Sequence, residues 1–254
     1  MAAHKTKERG HMHAITRTTL AAVLGLALSL SAQAGDDHGG PVKPTPYKPG
    51  ITMTKSVQAG ITPSSAIDIL KAGNARFIAG KPAPRKLKET VTQTALGQFP
   101  FASVVACIDS RSGPETVFDQ SVGDLFVARV AGNTVNEDIL GSLEYASKVA
   151  GSRLIVVLGH TECGAIKGAC DGVKMGNLTG LLDKFQPAVS KAKTDGERNS
   201  KNRQFVHDVT ELNVDETIET IRAKSPILKD MEAAGQIKIV GAVYNVTTGK
   251  VTWR

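Results

Sequence analysis

Two short groups of potential metal ligands stand out in the sequence, Cys107-x-Asp109-x-Arg111 and His160-x-x-Cys163. Cysteine sulfur and imidazole nitrogen are ligands that zinc prefers, and a site with three protein ligands leaves a fourth position for water. The chain of 254 residues contains only three cysteines and six histidines, so two such groups are informative. We therefore predict a zinc site with Cys107, His160 and Cys163 as its ligands.

Each group begins where an apolar, β-like run stops. Cys107 follows the run 101–106, and His160 follows the run 154–159. If these runs are neighbouring parallel strands, both groups lie at the carboxyl edge of one sheet, where open α/β folds place their sites. The convergence of the two groups therefore depends on the pairing of these two strands.

The residues beside the ligands have candidate roles. Asp109 is near enough to be a fourth ligand or to accept a hydrogen bond from water at the metal, and Arg111 could hold it off the metal through a bidentate pair. The alternative is an ordinary ion pair in a turn, which contributes little. Gly164 is expected to let the backbone turn tightly into a helix whose positive end favours the Cys163 thiolate. Glu162 is expected to face solvent or a partner chain.

The third cysteine, Cys170, is interpreted as a buried structural thiol. A Cys163–Cys170 disulfide is disfavoured because the spacing puts the sulfurs about two turns apart on one helix, beyond disulfide reach. A closed site with Cys170 as fourth ligand stays open as an alternative. His207 lies on the polar side of a late helix and is expected at the surface.

Strand-like and helix-like segments alternate along the chain, which predicts an α/β fold with a mainly parallel central sheet flanked by helices and a helical N-terminal arm. One helix, 136–149, is expected to turn six residues inward: Ile139, Leu140, Leu143, Tyr145, Ala146 and Val149. The other expected elements are a helix opened by Thr62-Pro63, strands at 124–129 and 237–243, and helices at 178–193 and 203–224.

The N-terminal residues carry an export pattern. Residues 1–34 combine a basic start, the apolar stretch Leu20–Leu30 and a small-x-small cleavage pattern ending at Ala34. We interpret 1–34 as a signal peptide of an exported, periplasmic protein, with an uncleaved anchor as the alternative. Because the apolar stretch is too short to span a bilayer, no stable membrane anchor is expected after cleavage. Residues 35–61 are interpreted as a Pro/Gly-rich arm or linker and residues 62–254 as the catalytic domain.

The charge balance argues against nucleic acid as a partner. The full chain has 31 Lys and Arg against 24 Asp and Glu; removal of residues 1–34 takes four basic and one acidic side chain and leaves a net +4. This excess is mild, and no basic run is interleaved with aromatic residues.

Three motifs in order resemble the β-class carbonic anhydrases: Cys107-x-Asp109-x-Arg111, the segment 123–133 (GDLFVARVAGN) and the segment 159–164 (GHTECG). The similarity extends from about residue 62 to the end of the chain. The resemblance implies reversible hydration of carbon dioxide to bicarbonate and a proton, with one zinc ion per subunit on the Cys, His and Cys positions. It also implies a homodimer or an assembly of dimers, with each site at a subunit interface.

The resemblance assigns roles to further residues. One group of the family carries Trp three positions before its first Cys ligand and lets the Asp ligate zinc; here that position is Val104, so we expect the open group, with Asp109 and Arg111 paired. Gln98, Phe126 and Tyr145 match residues that line the carbon dioxide cleft in open enzymes, and core packing is the alternative for the two aromatic residues. The Gln98 side chain and the Gly164 amide are candidate donors to a substrate oxygen.

Two other functions stay open from the sequence. Relatives that hydrolyse carbon disulfide or carbonyl sulfide keep these ligands and restrict access to the metal. A noncatalytic zinc-binding redox module that uses Cys170 would need four protein ligands and no exchangeable water. Asp109 and Arg111 argue against the second, because a structural site needs neither of them.

Overall fold

The structure, a computed structural model, describes residues 42–254, and a five-stranded sheet lies at the centre of this part of the chain. The strand order is β2-β1-β3-β4-β5; β1 to β4 pair in parallel, and β5 is antiparallel to β4. The expected mainly parallel sheet is confirmed. The strands are β1 (Ala102–Ala106), β2 (Leu125–Arg129), β3 (Leu154–His160), β4 (Lys238–Tyr244) and β5 (Val251–Trp253).

Helices cover both faces of the sheet, as a parallel sheet requires. None of the described helices is long and apolar enough to cross a membrane. The helices are α1 (Lys55–Ala59), α2 (Pro63–Ile78), α3 (Leu87–Thr94), α4 (Pro114–Val117), α5 (Glu137–Glu144), α6 (Gly164–Cys170), α7 (Gly176–Asp183), α8 (Gln186–Lys191), α9 (Arg203–Lys224) and α10 (Pro226–Ala233).

Side chains alternate between two cores along the strands, because successive strand residues point to opposite faces. On β3, Val156 and Leu158 pack with α1, α2 and α4, whereas Ile155 and Val157 pack with α5, α9 and α10. A third apolar cluster joins α6, α7, α8 and the start of α9, and it includes Cys107 and Cys163. The two ligand cysteines therefore lie between the sheet and this helical layer.

The described part of the segment before residue 62 contains a helix, as expected for the N-terminal arm, and it is packed against the domain. Lys55–Ala59 is helical, and Met53, Val57 and Ile61 are buried in the first core. Apolar residues at this helical spacing bury one face, so the packed unit begins earlier than residue 62. The proposed signal peptide 1–34 and the start of the arm lie outside the described residues.

The helix expected at 136–149 has a wider last turn than expected. Asn136 caps α5, and Tyr145–Val149 continues it as a π-helical turn. Leu140, Leu143 and Ala146 are buried as expected, but the side chains of Tyr145 and Val149 are exposed, which corrects the expectation that they point inward. Tyr145 follows the buried Leu143 by two residues, which is about 200° around a helix of 3.6 residues per turn, so regular helical geometry already places it on the outer face. Val149, four residues later, lies on the same side.

The helix expected at 178–193 is two helices, α7 and α8. Pro187 lies in the first turn of α8 and cannot continue a preceding helix, because it lacks an N–H and restricts the residue before it. The break places Phe185 between the two helices, where its side chain is fully buried. By contrast, the structure confirms the helix expected at 203–224 as α9.

Candidate metal centre

Cys107, His160 and Cys163 come together at the carboxyl edge of the sheet. Cys107 follows β1 directly, His160 ends the neighbouring strand β3, and Cys163 is the residue before α6. All three are buried, and one ligand atom from each lies within 4.8 Å of the others. The parallel pairing of β1 and β3 therefore produces the convergence predicted from the sequence.

The His160 ring presents one free nitrogen to this cluster. Its Nδ1 lies 2.9 Å from the Thr161 carbonyl oxygen, which requires a proton on Nδ1. Nε2 is buried and has no hydrogen-bond partner among the residues that the structure describes. An unpaired buried nitrogen is costly unless a ligand uses it, and metal-bound histidines commonly donate their other N–H in this way. The orphaned Nε2 beside two sulfurs fits a zinc ion.

The two cysteine sulfurs lie 4.0 Å apart, within hydrogen-bond distance for sulfur. The hydrogen bond from the Cys163 thiol lowers the pKa of Cys107, and the His160 ring and the Gly132 amide lower that pKa further. The pKa of Cys163 is raised, first by its hydrogen bond to Cys107 and then by burial. A divalent cation would remove this competition, because binding releases the protons of its ligands.

Asp109 is paired with Arg111, as expected for the open group. The Arg111 Nε donates to Asp109 Oδ1 at 3.0 Å, its Nη2 donates to Oδ2 at 2.7 Å, and its backbone N–H donates to Oδ1 at 2.9 Å. These bonds lower the pKa of Asp109 to about 2. The Oδ2 atom also lies 3.9 Å from His160 Nε2, so the carboxylate borders the cluster.

Arg129 and Gly132 also hold the loop of Cys107, and neither was predicted to have a role. Arg129 ends β2, and its guanidinium donates to the Cys107 carbonyl at 2.8 Å and to the Asp109 carbonyl at 2.6 Å. The Gly132 N–H donates to Cys107 Sγ at 3.3 Å. Both lie within the segment 123–133, and that motif was the available signal.

Backbone strain before α6 is at Glu162 and not at Gly164. Glu162 has a φ of 59°, whereas Gly164 is not in the left-handed region and a Cβ there would meet nothing within 4 Å. The expectation that Gly164 serves a tight turn is therefore wrong. The side chain of Glu162 forms ion pairs with Lys167 and Arg203 and is partly exposed to solvent.

Within the described single chain, Gln98, Phe126 and Tyr145 are not brought to the metal cluster. Gln98 is exposed in the loop between α3 and β1. Phe126 and Tyr145 form an edge-on pair with centroids 6.3 Å apart and line an open pocket of about 830 Å³ between β2 and α5. None of the three ligands lines this pocket. Tyr145 is 52% exposed in the single chain, so the alternative that it packs in the core is wrong.

Cys170 and His207 lie apart from the cluster. Cys170 is a buried free thiol at the end of α6, and burial raises its pKa to about 11. Its sulfur is not among the grouped ligand atoms, so the closed four-ligand site has no support. His207 is partly exposed on α9, with Nε2 3.5 Å from Glu211 Oε1, as expected for a surface histidine.

Sequence comparison finds similarity to carbonic anhydrases. The profile of the carbonic anhydrase family matches residues 102–251. Carbonic anhydrase 2 of Mycobacterium tuberculosis is 36% identical over 198 residues, which covers 76% of this chain and 93% of that protein. A carbonic anhydrase of Mycolicibacterium smegmatis is 37% identical over 194 residues, with the same coverage of 76% and 93%.

Structural comparison finds the same fold in solved β-carbonic anhydrases. The Coccomyxa β-carbonic anhydrase in complex with acetazolamide has a TM-score of 0.57 and 25% identity, covering 75% of this chain and 82% of that one. The β-carbonic anhydrase CafA of Aspergillus fumigatus has a TM-score of 0.58 and 24% identity, covering 75% and 89%. At 24% identity, the similarity to CafA supports the fold alone.

Proposed function

This chain belongs to the β-class carbonic anhydrase family, and we propose that it catalyses the reversible hydration of carbon dioxide to bicarbonate and a proton. The observation that carries the proposal is the buried cluster of Cys107, His160 and Cys163 with its unpartnered Nε2, beside the Asp109–Arg111 pair. A structural metal site would need no such carboxylate next to it. The proposal includes one zinc ion per subunit.

The donor set fits zinc. Cys107 and Cys163 would supply two thiolates, and His160 would supply Nε2 while the Thr161 carbonyl fixes its ring. A zinc ion held there would act as a Lewis acid and would lower the pKa of water, so that hydroxide is available as a nucleophile near neutral pH.

Asp109 and Arg111 act on the reacting water. With its pKa lowered to about 2, Asp109 stays ionised at neutral pH and accepts a hydrogen bond from the attacking oxygen. That bond turns a lone pair of the oxygen toward the carbon atom of the substrate. The three bonds from Arg111 keep the carboxylate in this orientation, so Arg111 is a positioning residue.

Carbon dioxide is small and apolar, so its binding needs apolar walls. We propose that Gln98, Phe126 and Tyr145 of a second copy of the chain line the cleft, with Gln98 and the Gly164 amide as donors to a substrate oxygen. The open pocket at Phe126 and Tyr145 and the edge position of β2 support an interface between copies. The proposed assembly is a homodimer or a dimer of dimers.

Subunit complementation tests the shared site. A heterodimer of a His160→Ala chain with a Tyr145→Ala chain contains one site that combines intact ligands with an intact partner Tyr145. If the cleft crosses the interface, this heterodimer is more active than either variant homodimer. Activity no higher than that of the homodimers would contradict the shared site and leave the hydration reaction itself unaffected.

Metal analysis and kinetics test the reaction. Stopped-flow hydration of carbon dioxide and zinc content are measured for the wild type, Cys107→Ser and Cys170→Ser. We expect loss of zinc and turnover only in Cys107→Ser, because Cys170 is outside the cluster. Hydrolysis of carbon disulfide by the wild type, without carbon dioxide hydration, would favour the hydrolase alternative.

We also propose that the protein is exported to the periplasm. The support is the basic start, short apolar stretch and small-x-small pattern of residues 1–34. N-terminal sequencing of protein from fractionated cells tests it. A periplasmic chain that begins at Gly35 is expected, and an intact N-terminus in the cytoplasm would contradict the proposal.

A further inference from the structure

Asn213 is a buried amide far from the metal cluster in sequence. It lies in the middle of α9 and is only 3% exposed. Its Nδ2 donates to the Gly132 carbonyl oxygen at 2.8 Å, across 81 positions of the chain. The other buried residues of α9 are apolar or threonine, and a buried amide needs such a partner.

Gly132 connects Asn213 to a ligand sulfur. Its carbonyl receives the Asn213 amide, and its N–H donates to Cys107 Sγ at 3.3 Å. Gly132 has a φ of 72°, and the next residue, Asn133, has a φ of 47°, so two successive residues are left-handed. Glycine adopts a positive φ readily, whereas Asn133 is less stable in this region, so tertiary contacts stabilise the turn that points the Gly132 N–H at the sulfur.

The opposite side of Gly132 is closed by Phe185. A Cβ added to Gly132 would lie 2.4 Å from the Phe185 ring, so the backbone is in close contact with that ring. Phe185 blocks movement on one side, and the Asn213 amide fixes the carbonyl. Together these two contacts restrict the backbone of Gly132, whose N–H donates to the Cys107 sulfur.

A hydrogen bond to a thiolate draws electron density from the sulfur and changes how strongly it donates to a metal. Groups that orient ligands in this way typically change metal affinity or activity by about 10–100-fold when they are replaced. We propose that Asn213 is a positioning residue of the metal centre, which acts through the backbone of Gly132 on the Cys107 thiolate. This inference rests on the proposed zinc site and adds to it a group on α9.

Cobalt-loaded protein tests the proposal by spectroscopy. Asn213→Leu removes the donor at similar size, and Asn213→Asp keeps the shape without the N–H. Both are expected to move the thiolate-to-cobalt charge-transfer band to lower energy and to weaken cobalt binding, in competition with a chelator, by about 10–100-fold. The matched control is Thr210→Val, one turn earlier on α9, whose buried hydroxyl donates only to the Val206 carbonyl of its own helix. It should retain the wild-type band and affinity.

A second measurement needs no variant. In wild-type protein loaded with cadmium-113, scalar coupling between the metal and the Gly132 amide proton is expected through the bond to Cys107 sulfur. Absence of this coupling, or Asn213 variants that load cobalt with an unchanged band and affinity, would overturn the inference alone. A wild-type chain that binds neither metal would overturn the proposed function and the inference with it.

Discussion

At the scale of single residues, local hydrogen bonds decide what each group of the site can do. The bond from His160 Nδ1 to the Thr161 carbonyl leaves Nε2 as the free donor to a metal. The bonds from Arg111 orient Asp109, whose pKa they lower to about 2, so that its carboxylate is an acceptor throughout the neutral range. The sequence shows the types of these residues, whereas the hydrogen bonds set the tautomer of His160 and the ionisation of Asp109.

Replacement of Asp109 by Asn should separate catalysis from metal binding. The amide cannot accept in the same way as the carboxylate, and loss of such a group costs about 10²–10⁴-fold in rate. We expect Asp109→Asn to retain zinc and to lose hydration activity by that factor, as measured by stopped flow. Asp183→Asn, which removes an exposed carboxylate paired with Lys174, is the control and should stay fully active. Wild-type turnover in Asp109→Asn would contradict the assigned role.

Asp124 should make stability depend on pH. It is 3% exposed, its Oδ2 accepts the Ser121 N–H at 2.7 Å and its Oδ1 has no partner. Burial raises its pKa to about 6, above the unfolded value of about 3.9. Because the folded pKa is the higher one, the contribution of Asp124 is fully present below about pH 4 and is lost as the pH rises through 6.

Urea unfolding of the wild type and Asp124→Asn between pH 4 and 7 measures this effect. The neutral amide keeps the acceptor for Ser121 and does not ionise. We expect the stability of Asp124→Asn relative to the wild type to increase by about 3 kcal/mol across this interval, an order-of-magnitude value from two pKa units. Other titrating groups are common to both proteins and cancel. A difference that stays constant with pH would show that Asp124 is not the titrating group.

At the scale of elements, irregular backbone places groups that regular strands and helices leave out of position. The left-handed residues after β2 place the Gly132 N–H toward Cys107. The break before Pro187 places Phe185 against Gly132. The contact between Phe185 and the left-handed turn is why the turn at Gly132 tolerates no side chain.

Gly132→Ala should therefore destabilise the fold strongly. The left-handed conformation and the close contact with Phe185 together cost about 2–4 kcal/mol. We expect a decrease of that size in the free energy of unfolding, measured in urea. Gly180→Ala is the matched control, because that residue is helical in α7 and an added Cβ meets nothing within 4 Å. Equal stability of the two variants would contradict the packing argument.

At the scale of the whole described molecule, the candidate metal centre joins the sheet to a helical layer. Cys107 directly follows β1 and His160 ends β3, whereas Cys163 directly precedes α6. A metal bound only in the folded state stabilises it by mass action, by about 4 kcal/mol at a thousandfold excess over the dissociation constant. Metal at this junction should thus stabilise both layers at once.

Removal of the metal should lower the unfolding temperature of the wild type. We expect a chelator to produce this decrease, measured by calorimetry, and to have no effect on Cys163→Ala, which lacks a ligand. Cys170→Ala retains the whole ligand set and should respond as the wild type does. A wild type that is insensitive to the chelator after its zinc content has fallen to zero would contradict a stabilising role.

The sequence by itself predicted the mainly parallel sheet, the candidate zinc ligands and the pairing of Asp109 with Arg111, because these depend on local runs and short spacings. Apolar β-like runs end at Cys107 and His160, and parallel pairing necessarily brings such ends together. Only the tertiary structure decided the contact of Tyr145 with Phe126, the strain at Glu162 and the contacts of Arg129 and Asn213. Those features depend on contacts between side chains and backbone of elements that are distant in sequence. The periodicity of residues along the chain does not predict such contacts.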